Sequence, residues 1–172
     1  MKISRRSQVE PFHAMDVLAE AIERKRQGRP VISLAVGQPA SPAPKAVLDA
    51  AREALVVGRL GYTDTLGLIE LRQAIAAYYR RRHGVDIDPA RIAVTTGSSA
   101  GFNLAFLALF DPGDRIAITR PGYPAYRNIM AALGLEVVEI AVDRASDFTL
   151  SPAVLEDAAR THGRIDGVLL AS

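Results

Sequence analysis

Apolar side chains recur along the first half of the chain at helical spacing. Residues 13–27 place Met15, Leu18 and Ile22 on one face and stop at Gly28. Residues 45–57 repeat the pattern with Val47, Leu48, Ala51 and Leu55, and stop at Gly58. Residues 68–83 repeat it with Leu68, Leu71, Ile75 and Tyr78. Between the first two helices lies the apolar run 31–36, in a stretch stiffened by Pro30, Pro39, Pro42 and Pro44.

Beyond Gly84 short apolar runs alternate with helical segments. Residues 91–95 read as a β-type run, and 100–110 as an almost wholly apolar helix that should be deeply buried. A turn at 111–114 leads to a strand at 115–119, a helix at 124–133 and a strand at 136–142. A helix at 151–161 follows, with Ser151 as N-cap and Pro152 at its first position. A strand at 167–171 ends the pattern. This alternation predicts an α/β fold with a mostly parallel sheet.

Composition narrows the chemistry. The chain has 172 residues, about one domain by length, with enough sequence to build a core. It has no cysteine, which excludes disulfides, thiolate metal sites and cysteine nucleophiles. Its three histidines, His13, His83 and His162, lack ligand spacing, so no metal site is expected. Of 21 basic side chains only Lys2, Lys25 and Lys45 are lysines. The net charge is +2, and the one basic cluster, Arg80-Arg81-Arg82-His83, closes a helix where cations suit the dipole. No nucleic-acid partner is expected. No apolar run reaches membrane-spanning length and no secretory leader opens the chain, so a cytoplasmic location is expected.

Ligands of open α/β sheets bind beyond the carboxyl ends of the strands. Two loops fall there. In residues 95–101, Gly97 allows close backbone approach, Ser98 and Ser99 carry hydroxyls, and a helix start offers free N–H groups to an anion. The same serines could serve only as N-caps. The loop lacks the Gly-Lys-Ser/Thr of a P-loop and the Gly-x-Gly-x-x-Gly of a dinucleotide site. The second loop, residues 120–124, holds Tyr123 between Pro121 and Pro124, where its ring could stack on a flat ligand or pack on its own loop.

Taken in order, these segments resemble the fold-type I, pyridoxal phosphate-dependent aminotransferases of class I/II, N-terminal portion only. The residues that carry the likeness are Ile32 to Pro39, Gly61-Tyr62-Thr63 with Gly67 and Leu71-Arg72, Val94 to Ser99, Phe110 to Asp114, and Arg120 to Tyr126. The resemblance implies a partial three-layer large domain with a mostly parallel sheet, preceded by an N-terminal helical arm. Residues 1–44 would be the arm and a small-domain segment, and 45–172 the first part of the cofactor-binding domain. Ser98, Ser99 and Ala100 would bind the cofactor phosphate, with Gly97 shaping the turn. Tyr123 would stack on the pyridine ring. Tyr62 would reach the phosphate of the partner's cofactor in a homodimer, and Gly37 would lie near the substrate carboxylate.

The same resemblance places the lysine that forms the Schiff base, and the acid that pairs with the pyridine nitrogen, in later parts of the family's sequence. Lys2, Lys25 and Lys45 match none of that context, so no catalytic residue is assigned and the 172 residues alone are expected to be inactive. Without the family's later strands, the strand at 167–171 would lack neighbours and the apolar helix part of its cover, so the chain alone is expected to be weakly stable or to aggregate. The implied reaction moves an amino group between an amino acid and a 2-oxo acid. Another fold-type I enzyme (a lyase or synthase) and a non-catalytic cofactor-binding or remnant module remain open alternatives.

Overall fold

A computed structural model describes residues 2–58 and 61–171. The elements run α1 (His13–Arg26), α2 (Lys45–Val57), α3 (Ile69–His83), α4 (Ser98–Leu109), β1 (Arg115–Arg120), α5 (Pro124–Leu133), β2 (Glu136–Ala141), α6 (Pro152–His162) and β3 (Gly167–Leu169). Single 3-10 turns cover Arg5–Ser7 and Pro89–Arg91. The chain packs as two compact units, one of residues 1–13 with 96–172 and one of residues 14–95. These are packing units; the division at residue 44 expected above is one of roles within a larger domain.

The first unit is built on a parallel sheet in the order β2-β1-β3. Period-two alternation along β1 and β2 gives the sheet two apolar faces. Ile116 and Ile118 face α4 and α5, where they pack with Phe106, Met130 and Leu135. Ala117, Val138 and Ile140 face the other way, toward Leu155 and Ala158 of α6. The result is helices on both sides of a sheet, as the alternation of elements requires. Ile116 and Met130 are its largest fully buried side chains. Sequence chemistry fixes the ends of the helices: Ser151 Oγ accepts the N–H of Val154 at the start of α6, and Pro124 takes the first position of α5.

Two expectations fail in this unit. The apolar helix is not deeply buried: α4 buries Phe106, whereas Leu104, Leu107 and Leu109 are 60–71% exposed. A helix apolar all round needs cover on every side, and the sheet and α5 cover one. The last strand is also shorter than 167–171, because its ladder to β1 ends at Leu169.

The second unit holds α1, α2 and α3. Its stiffest feature is Arg72, 6% exposed, the one buried charged residue among those described. Its Nε donates to the Gly67 carbonyl at 3.1 Å and its Nη1 to the Pro89 carbonyl at 3.2 Å, while Nη2 lies 3.5 Å from Asp64. One guanidinium thus ties the loop before α3 to the turn after it. Gly67 completes the tie. It adopts φ +93°, and a Cβ there would meet the Val94 side chain at 2.8 Å, so only glycine fits.

The β-type run at 91–95 does not form a strand. Its first residue is in the 3-10 turn, and Val94 N–H donates to the Leu66 carbonyl without a ladder around it. A strand is defined by the neighbour it pairs with, and this segment pairs with none of the described strands. In α1 the inward face is Ala14, Leu18 and Ala21, not Met15, Leu18 and Ile22; Met15 and Ile22 are exposed. The basic run ending α3 is a helix terminus in contact with its own rings. Arg81 lies over the Tyr78 ring at 5.9 Å, and Arg80 pairs with Asp86.

Candidate functional site

The carboxyl end of β1 is where the first unit opens. Helix α4 packs on the sheet and returns through a tight turn into β1, so its N-terminus lies beside the end of β1. That N-terminus begins at Ser98, two residues earlier than the periodicity indicates. Ser98, Ser99 and Ala100 are therefore its first turn. Neither serine is an N-cap: the cap position is Gly97, and no side chain caps the helix. The first turn also contains no acidic residue. Unshared N–H groups and an unopposed dipole make such a turn attractive to an anion. Gly97 adopts φ +85° with open space around it, so its restriction is one of backbone conformation.

Tyr123 ends the short loop after β1 and precedes Pro124. The residue is 49% exposed. Two other rings meet it at nearly right angles, Tyr126 at 5.2 Å and Phe12 at 6.1 Å between centroids. Tyr126 in turn meets Phe102 at 4.7 Å, one turn into α4. Three rings in sequence therefore join the Tyr123 loop to the helix that carries Ser98, Ser99 and Ala100. Edge-to-face contacts of this kind are directional, which fixes the loop against the helix. Behind the loop a cleft of about 160 Å³ is lined by residues including Arg120, Tyr123, Arg127 and Glu139. Glu139 stands between two guanidiniums, 3.3 Å from Arg127 and 3.7 Å from Arg120.

The other two sequence candidates lie in the second unit. Gly37 occupies an exposed loop with open space where a Cβ would stand. Tyr62 is fully exposed, two residues before Asp64 on the segment that Arg72 secures. Among the described residues no group of His, Asp and Glu is placed to hold a metal ion, and no helix is long and apolar enough to cross a membrane. Periodicity missed Phe12, Tyr126 and Arg72. Tyr126 stood within the matched segment 120–126 without a role. Arg72 likewise stood within the matched pair Leu71-Arg72 without a role, and Phe12 carried only the weak signal of an isolated aromatic after a proline.

A model of aminotransferase class I and II matches residues 29–172. The chain belongs to that family. The valine–pyruvate aminotransferase of Mycobacterium tuberculosis is 53% identical to it over 139 residues, which is 81% of this chain and 36% of that protein. The aspartate/prephenate aminotransferase of Thermus thermophilus is 38% identical over 140 residues, 80% of this chain and 36% of that one. A crystal structure of an aminotransferase from Mycobacterium tuberculosis superposes with a TM-score of 0.92 at 47% identity, covering 100% of this chain and 44% of the other. The aspartate aminotransferase of Thermus thermophilus with maleate superposes with a TM-score of 0.85 at 35% identity, covering 92% and 42%. This aminotransferase-family chain thus spans well under half the length of the relatives it matches.

Proposed function

We propose that this aminotransferase-family chain supplies the phosphate cup and the stacking ring of a pyridoxal phosphate site. The whole protein transfers an amino group between an amino acid and a 2-oxo acid. The observation that carries this reading is the pairing, at one end of β1, of an uncapped, acid-free helix start with a half-exposed tyrosine ring. The residues fit the group. Backbone N–H groups of Ser98, Ser99 and Ala100 suit a phosphate dianion, Gly97 turns the chain into the helix, and Tyr123 offers a ring face to a flat heterocycle. When bound, pyridoxal phosphate supplies the aldehyde that takes up an amino group and a ring that spreads negative charge. This chain's own residues hold the phosphate and orient the ring.

Tyr62 and Gly37 complete the proposal. Tyr62 serves the phosphate of the partner's cofactor in a homodimer, and Gly37 lies near the substrate carboxylate. Residues 1–44 act as arm and small-domain segment, and 45–172 as the first part of the cofactor-binding domain. The location is cytoplasmic. None of Lys2, Lys25 and Lys45 stands in the family's Schiff-base context, so these 172 residues bind without turnover. The 53% identical relative is named for valine and pyruvate, which makes that the first donor and acceptor pair to assay in the whole protein.

Titration of the chain with pyridoxine 5′-phosphate tests the reading. This probe keeps the ring and phosphate but carries an alcohol in place of the aldehyde, so it forms no imine with surface lysines. Saturable binding is expected. Ser99→Asp puts an acid in the first turn of α4, which supports the helix while repelling phosphate. Loss of binding with helix content retained is the expected result. Undiminished binding in Ser99→Asp overturns the cup.

A further inference from the structure

We propose that Phe12 is a positioning residue for the Tyr123 ring, so that the N-terminal segment forms part of the cofactor site; this rests on the reading that Tyr123 stacks on the cofactor. Pro121 and Pro124 fix the backbone around Tyr123, but a proline neighbour leaves the side chain's own two torsions free. Those torsions are set by what the ring touches. Two rings touch it, Tyr126 from the next turn of α5 and Phe12 from the start of the chain, at 81° and 86°. A stacking platform needs one face free and the ring held still, and two perpendicular neighbours do this while leaving Tyr123 half-exposed.

Phe12 is itself anchored. Asn128 of α5 donates from Nδ2 to the Glu10 carbonyl at 2.9 Å, across 118 residues of sequence. Asn128 and Tyr126 both belong to the helix that Tyr123 precedes. The clamp and the ring it holds are therefore referred to one rigid element. Gln8 N–H bonds only back to the Arg5 carbonyl of its own 3-10 turn, and among the described hydrogen bonds Asn128–Glu10 is the one that ties residues 8–12 to α5, so it is the register that delivers Phe12 to Tyr123.

Ring-labelled tyrosine in the unliganded chain reads the contact directly by NMR, with Tyr123→Phe identifying the Tyr123 signal among five tyrosines. Phe12→Leu removes a ring current and should move that signal. Asn128→Ala should move it in the same direction, and Phe12→Tyr, which keeps the ring, should leave it nearly in place. Pyridoxine 5′-phosphate should bind Phe12→Leu about two- to tenfold more weakly, with Phe12→Tyr restoring affinity. A Tyr123 signal that Phe12→Leu does not move overturns the inference. So does unchanged binding in Phe12→Leu while Tyr123→Ala weakens it. If Tyr123→Ala leaves binding unchanged as well, the stacking reading falls and this inference falls with it.

Discussion

In residues 96–171, α4, α5 and α6 lie on a sheet, and nine of the ten buried apolar residues described are there. In residues 14–95, α1, α2 and α3 also carry apolar side chains at helical spacing, yet the buried residues are Ala21, Gly67 and Arg72. Helix α2 buries none of its side chains, and Val47 and Leu55 are 56% and 69% exposed. Both regions form helices; what differs is the presence of a second layer. A helix removes its apolar stripe from water only against another surface. The sheet provides that surface in one unit. In the other, a guanidinium and its carbonyl partners perform the tying that a core would otherwise perform.

Different substitutions should therefore weaken the two units, and for different reasons. The largest effect belongs to Met130→Ala, which opens a cavity in a fully buried position. It should cost about 2–5 kcal/mol, read as a lower urea midpoint, whereas Val47→Ala in α2 should barely move it. Equal costs at the two positions would break the comparison. Next is Arg72→Met, which keeps volume but leaves the Gly67 and Pro89 carbonyls without their donor. A cost of about 1–3 kcal/mol is expected, confined to residues 61–95 in hydrogen exchange, with the sheet amides unaffected. Protection lost equally in the sheet would show that one cooperative core serves both units.

Smaller still is Leu107→Glu on the bare face of α4. Its folding stability should change by about 0.5 kcal/mol or less, while self-association measured by light scattering falls, since contiguous exposed apolar surface promotes association. The smallest effect is electrostatic. Hydrogen bonds from Arg26, then Gln27, hold the Glu23 carboxyl below its ordinary value. A lowered carboxyl stabilises the folded form above the unfolded value, and that contribution disappears as pH falls through the lowered one. Helix content at the end of α1 should decline only on acidification below the usual carboxylate range, and Glu23→Gln should abolish that slope.

Local signals were legible in the sequence. The bounds 45–57 and 124–133 agree with α2 and α5 because capping and stop residues act over one turn. Tyr123 and the Gly97-to-Ala100 segment stood out because a fixed aromatic and a glycine at a helix start are short-range features. The run at 91–95 misled, since its apolar residues match a strand whose partner must come from elsewhere. The apolar character of α4 likewise foretold a need for cover, and the surrounding elements cover one side.

The sequence by itself determined which segments coil, roughly where they stop and which family they resemble. These depend on contacts within about four residues or on motif order along the chain. Tertiary structure alone decided that Arg72 is buried, that α1 turns Ala14 and Ala21 inward, and that Phe12 meets Tyr123 across 111 positions. Each of these is a choice among equally good local options. It is made by whichever distant surface or carbonyl the folded chain brings within reach, and no local spacing encodes that.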